Sequence, residues 1–247
     1  QVVAAIKIVP DDQDIQVASD RSLDFSKAKG MVSAYDLNAL EAAAQLAADN
    51  PGSTVTAVSV GAASIDDSKL KKNVLARGVD DLIMVADDAL AALDTAGTAQ
   101  ELAAVMGGEG FDLILCGDGS ADDYAQQVDV QLAARLGVPS VNAASAIKVA
   151  GDGVIVERTL EDVVEEVEVP LPAVVAVTPD VATPRIPGMK DILAAGKKPM
   201  EVKGAPIAPV SAIEVVSCEV AERACNVADA SADGAIEAFA AALKAAL

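Results

Sequence analysis

The chain contains no histidine and no tryptophan, and only two tyrosines and three phenylalanines among its 247 residues. Without imidazole there is no His-based general acid or base, no Ser-His-Asp or Cys-His nucleophile system, and no imidazole metal site. Any chemistry falls to carboxylates, lysine, tyrosine or a cofactor. The shortage of aromatics leaves the core to Ala, Val, Leu and Ile, which suits helices packed on a parallel sheet. Positive charge is also scarce: 18 Lys and Arg stand against 38 Asp and Glu, a net charge of −20. Such a chain is repelled by nucleic acid and by anionic membrane surfaces. The three cysteines, Cys116, Cys218 and Cys225, are too few and too unevenly spaced for a disulfide scaffold or a metal site. They point to a reducing, cytoplasmic setting, with Cys116 a small core residue. No apolar run reaches the roughly 18 residues of a transmembrane helix, so no membrane insertion is expected. The opening segment, Gln1 to Lys7, reads as a strand rather than a signal peptide.

What is present alternates regularly. Apolar runs at Val2–Val9, Thr54–Val60, Asp81–Val85, Leu113–Cys116 and Leu171–Val177 read as buried strands. Between them lie segments with helical spacing: one opening at Asp36 as N-cap, one from Asp66 to Arg77 closing on Gly78, one between Thr98 and Met106, and one through Gln127, Val130, Leu132, Ala133 and Leu136. This alternation predicts an α/β fold with a doubly wound, mostly parallel sheet. Two additions are expected: an antiparallel hairpin formed by Val154–Arg158 and Val163–Val169, and a short hairpin edge at Ser22–Phe25. After Pro199 the chain is rich in Pro and Ala, and it ends in a helix from Gly234 to Leu247. A strand expected over Ile213–Cys218 favours a docked arm over a flexible linker. The predicted division is a nucleotide-binding domain over 1–196 and a C-terminal arm over 197–247 that docks on a partner.

Phe111 to Val128 carries the strongest local signal. A buried strand runs into Gly117-Asp118-Gly119-Ser120-Ala121-Asp122-Asp123-Tyr124, and a helix follows. A glycine loop between a parallel strand and a helix start lets a ligand approach bare N–H groups, and the helix dipole favours a phosphate there. The loop itself contains Asp118, Asp122 and Asp123 but no Lys or Arg. Main-chain donors would therefore hold most of a bound nucleotide. Asp122 and Asp123 read as helix caps before they read as metal ligands. The rival reading of these features is a stand-alone ATP- or AMP-binding protein of the universal-stress type.

Several separated motifs resemble one family. They are Val9-Pro10-Asp11, Ser22 to Phe25, Tyr35 to Ala42, Gly117 to Val128, Val156-Glu157-Arg158, Leu171 to Val175, Pro184 to Lys190, and Lys197-Lys198-Pro199. In this order the chain resembles the beta subunit of electron-transfer flavoproteins, in the branch similar to those of carnitine metabolism and nitrogen fixation. The resemblance implies a subunit without substrate chemistry of its own. Its partner would be an alpha subunit carrying FAD, and it would itself hold AMP or a second FAD. With FAD it would also split an electron pair from NADH. The family's nucleotide-contact positions fall on Ala5, on Ser33, Ala34, Tyr35 and Asp36, on Val60, and on Gly117, Asp118, Gly119, Ser120, Ala121, Asp122, Tyr124, Gln126, Gln127 and Val128. Ser33-Ala34 departs from a frequent Asn-Pro, and Val128 offers no hydroxyl.

The resemblance also implies a recognition loop over 183–193, in which Met189, with Arg185, docks an acyl-CoA-type dehydrogenase. Read as residues alone, Met189 would cap the domain's own core. Arg158 would lie near the alpha-subunit flavin, or else pair across strands with Glu165 or Glu166. Lys197 and Lys198 read as a solvated helix terminus.

Overall fold

The computed structural model describes residues 1–222, 225 and 227–246. The strands are β1 (Val2–Ala5), β2 (Ile8–Pro10), β3 (Gln16–Val17), β4 (Leu23–Asp24), β5 (Gly30–Val32), β6 (Val55–Gly61), β7 (Asp81–Ala86), β8 (Leu113–Gly117), β9 (Ser140–Ala150), β10 (Gly153–Thr159), β11 (Val164–Pro170), β12 (Ala173–Val177) and β13 (Met200–Lys203). The α-helices are α1 (Ala34–Asp49), α2 (Ser68–Leu75), α3 (Thr95–Met106), α4 (Val128–Leu136), α5 (Met189–Ala195) and α6 (Ala235–Ala246). Leu247, the end of the expected last helix, lies outside the described residues.

Nine strands form one sheet in the order β11-β10-β9-β12-β8-β1-β6-β7-β13. It is parallel from β9 to β13, while β10 pairs antiparallel with both β9 and β11. The mostly parallel α/β sheet read from the sequence is thus the observed one. Side chains alternate across each strand, so Val2 and Ala4 face one core layer and Val3 and Ala5 the other. The first layer takes the buried faces of α1 and α2 and Ala195 of α5; the second takes those of α3 and α4. Leu40, Leu75, Leu115 and Leu132 are wholly or almost wholly buried, and truncating any one of them to Ala costs about 2–5 kcal/mol. Cys116 is buried in the second layer, where burial pushes its thiol pKa up.

Several boundaries differ from the sequence reading. The N-cap of α1 is Ser33, not Asp36. Asp36 lies in the helix's first turn with its carboxylate turned toward the strand ends. Asp67 caps α2, accepting from the N–H groups of Lys69 and Leu70 at 2.9 Å each. Asp94 caps α3, accepting from Gly97 at 2.7 Å. Helix α4 begins only at Val128, too late for Asp122 or Asp123 to cap it.

The segment after Pro199 contributes β13, which extends the sheet beside β7 in parallel register. Ile213–Cys218 forms no strand. It runs along the surface with its side chains exposed, and only Glu219 makes a bridge, to Ser22. Upstream of it, the chain lies on α3: the N–H groups of Ala212 and Ile213 donate to Asp94 Oδ2 at 2.6 and 3.0 Å. Of the expected solvated pair, Lys197 is exposed, but Lys198 is half-buried. Its ammonium donates to the carbonyls of Leu75 and Val79 at 3.0 and 2.6 Å, tying the end of α5 to α2.

Candidate functional site

In this sheet β1 leads to β6 and β7 on one side, while β8 and β12 lie on the other. The strand order therefore reverses between β1 and β8. Open α/β sheets bind ligands at the carboxyl ends of strands flanking such a reversal. The Gly117–Gln127 loop leaves β8 at that place.

Asp36 organises the crevice. Its Oδ2 accepts from the Lys7 N–H at 2.7 Å and its Oδ1 from the Gly117 N–H at 2.9 Å. One carboxylate thus bridges the ends of β1 and β8 from the start of α1. Burial pushes its pKa up to about 7, against the opposing pull of those two N–H donors. Gly117 is required by this approach, since a Cβ there would stand 2.7 Å from Tyr35 Cβ and 2.9 Å from Asp36 Oδ1. Ser33, wholly buried, uses its hydroxyl to accept from the Ala121 N–H at 3.2 Å rather than to cap its own helix.

The loop's acidic excess is met by a residue distant in sequence. Lys7 Nζ lies 2.8 Å from Asp122 and 2.7 Å from Asp123, with Ser120 Oγ at 3.4 Å. Burial alone would lower the Lys7 pKa, but the two aspartates raise it on balance. Tyr124 folds back over Gly119, so that a Cβ on Gly119 would run into the ring. Its hydroxyl donates to Asp118 Oδ2 at 2.9 Å, and its ring meets that of Tyr35 with centroids 5.1 Å apart. Tyr124 and Gln126 have φ of 45° and 54°, a left-handed backbone that costs a non-glycine residue about 1–2 kcal/mol. Such strain concentrates at ligand clamps and switch segments.

The structure thus brings together Ser33, Tyr35, Asp36 and Gly117 to Tyr124. Ala34 is exposed beside them at the first residue of α1. Ala5 is buried at the end of β1, and Val60 lies near the end of the adjacent β6, half-buried against the second core layer. Gln126 is exposed. Gln127 directs its side chain to α3, accepting from Thr95 Oγ1 at 2.8 Å, and makes no side-chain cap for α4. The first N–H groups of α4, from Val128 on, consequently have no side-chain cap. Two residues of this neighbourhood escaped the sequence reading: Thr95, and above all Lys7. A cation one residue beyond an apolar run was the available signal for the latter.

A second constellation lies on the surface over α1 and α2. Arg185 is turned onto Glu41, with Nε to Oε2 at 2.6 Å and Nη2 to Oε1 at 3.0 Å, and its own N–H also donates to Oε2 at 3.1 Å. Burial would raise the Glu41 pKa, yet Arg185 and Gln45 hold it below the usual range. Arg77 adds a bond from Nη1 to the Arg185 carbonyl at 2.7 Å. The chain beyond is thereby fixed, and it presents Ile186, Met189 and Leu193 at 94, 77 and 68% exposure. Met189 does not cap the core. Arg158 pairs with Glu165 at 3.0 Å, and its Nε and Nη2 bind Asn142 at 2.8 Å each.

The family model for the electron transfer flavoprotein domain matches residues 22–208, about three quarters of the chain. The chain belongs to the electron transfer flavoprotein family. The match takes in α1, the glycine loop, the Arg185–Leu193 segment and β13, whereas β1 and Lys7 precede it. No described helix is long and apolar enough to cross a membrane. Among the described residues no group of three or more acidic or cysteine side chains is arranged to hold a metal ion.

Proposed function

We propose that this chain is the beta subunit of a heterodimeric electron transfer flavoprotein, and that it holds one adenine nucleotide, AMP or a second FAD, in the crevice between β1 and β8. The observation that carries this reading is the Asp36 bridge from β1 to β8 at the point where the strand order reverses. The residues there suit such a group. The start of α4 has no side-chain cap and its dipole favours a phosphate; Lys7 supplies a cation; the exposed rings of Tyr124 and, less so, Tyr35 offer a stacking face. A flavin, when bound, supplies one- and two-electron chemistry. This chain's residues bind and orient the nucleotide and position the partners.

In this reading the alpha subunit carries the electron-transferring FAD, and an acyl-CoA-type dehydrogenase docks on the exposed Met189 segment. The arm beyond Ala205 is the natural contact for the alpha subunit. Its last helix, α6, buries nothing within the chain and leaves Ile236, Phe239 and Leu243 at 77, 66 and 49% exposure along one stripe. The stand-alone stress-type reading has no use for this stripe.

Co-expression with the alpha subunit, followed by extraction and quantification of adenine compounds, tests the proposal. One FAD with one AMP, or two FAD, per heterodimer is expected. A chain that self-associates and carries ATP would refute it.

A further inference from the structure

Lys7 has two attachments of different character. Its main chain is locked: the N–H goes to Asp36 and the carbonyl accepts from Ser33 at 2.9 Å. Its side chain is held only by exposed or half-exposed groups. The Lys7, Asp122 and Asp123 side chains are 39, 29 and 70% exposed. Ion pairs this wet contribute little, so the ammonium can change partners at little cost. Among the described residues no other Lys or Arg forms an ion pair with the loop. Asp122 and Asp123 contact the ammonium, and the buried carboxylate of Asp36 feels its charge.

We propose that Lys7 is the charge-selecting residue of this site: Asp122 and Asp123 occupy its ammonium as an internal stand-in for a phosphate, and the site admits an adenine nucleotide of at most two negative charges. The inference rests on the nucleotide reading above and adds to it a ligand class. Two carboxylates at 2.8 and 2.7 Å present about the charge of one phosphate dianion, or of the two phosphodiester charges of a dinucleotide. Exchanging them for such a ligand leaves the ammonium paired and turns Asp122 and Asp123, already partly exposed, to water. Each further phosphate brings charge that no cation meets, into a crevice already lined by aspartates. AMP and FAD are admitted on this arithmetic, whereas ATP, with about four charges, is not.

Calorimetric titration of the full chain, with any partner it retains, against AMP, ATP and adenosine tests the inference. The wild type is expected to bind AMP at least about 10-fold more tightly than ATP. Lys7→Met is expected to weaken AMP by about 10-fold or more while changing adenosine less than about 2-fold, the signature of a lost phosphate contact. The double substitution Asp122→Asn, Asp123→Asn is expected to act in the opposite direction, tightening AMP and narrowing the gap between AMP and ATP. Its opposite sign separates charge selection from damage to the fold. If AMP binds but Lys7→Met leaves it unchanged, or if ATP binds as well as AMP, charge selection by Lys7 is overturned and the nucleotide site stands. If no adenine compound binds, including FAD tested in parallel, the nucleotide site itself falls and this inference with it.

Discussion

The guanidinium of Arg185 grips the carboxylate of Glu41 by two parallel bonds of 2.6 and 3.0 Å, across 144 residues of sequence. The sequence places Arg185 on the docking side with Met189; the structure spends its charge inward. Glu41 is 7% exposed at its side chain and Arg185 42%. The pair therefore acts as a peg that fixes where the exposed Ile186–Leu193 segment begins.

Removing half of the peg leaves a buried charge behind. Arg185→Ala is expected to cost about 1–3 kcal/mol, since Glu41 would lose its cation and keep only Gln45, at 2.9 Å, and the main-chain N–H of residue 185, at 3.1 Å. Glu41→Gln should cost less, because no charge is stranded in the interior. Urea midpoints measure the difference. Hydrogen exchange across 183–193 should accelerate in Arg185→Ala, and an unchanged exchange rate there would show that the segment is held by other means.

Met189 gives the functional counterpart. Met189→Ala is expected to slow reduction by an acyl-CoA-type dehydrogenase several-fold, as loss of a central apolar anchor does, while the bound nucleotide stays at wild-type content. Stability should be unchanged, because the side chain is 77% exposed. Stopped-flow reduction with the same dehydrogenase decides the matter; equal rates would return Met189 to an ordinary surface residue.

Asp36 makes stability depend on pH with a sign opposite to most paired carboxylates. Its pKa is pushed up to about 7 from an ordinary value of 3.8. Between those values the folded chain holds a proton that the unfolded chain releases, so acid favours the folded state. The gain is complete below about pH 4 and is lost as pH rises through about 7, on the order of 4 kcal/mol across the window. Melting temperatures from pH 5 to pH 8 should fall less steeply in Asp36→Asn than in the wild type. The variant itself should be less stable by about 1 kcal/mol at pH 5, since an amide nitrogen cannot accept from an N–H. Parallel pH profiles for the two proteins would rule the assignment out.

Glu101 is a buried liability. It is wholly inaccessible on α3, and neither oxygen has a partner of ordinary hydrogen-bond geometry among the described residues. Burial raises its pKa, with the Ile207 N–H opposing and the charge of Asp87 adding. Glu101→Leu is expected to stabilise the protein by about 1–3 kcal/mol at pH 8. The advantage should be smaller at pH 5 than at pH 8, because a raised pKa brings protonation in sooner as pH falls, and protonation lifts the penalty. Chemical denaturation at the two pH values checks this, and a gain independent of pH would point to packing instead of charge.

The layered architecture was legible because it rests on short-range rules. Apolar strands alternate with amphipathic helices, and each run of Val, Ile and Leu has one compatible burial. The glycine loop after Cys116 was legible for the same reason, as a strand, a turn and a helix adjacent in sequence. Ser33 and Asp36 show the limit. Both are good capping residues next to an apolar pattern, and nothing local says which one caps. The choice was made by two distant N–H groups, of Lys7 and Gly117, that needed an acceptor.

Edge strands were decided the same way. Met200–Lys203 is too short for a period to show, yet it takes the free edge of β7; Ile213–Cys218 has the better β-forming composition and joins no strand. The sequence by itself determined the sheet, the place of the loop at a strand end and the scarcity of positive charge. Only the tertiary structure decided that Lys7 answers Asp122 and Asp123 and that Arg185 answers Glu41. Local pattern governs burial, which each segment settles with its own residues. Charge pairing and acceptor choice belong to groups 29 to 144 residues apart, and those meet only when the chain is folded.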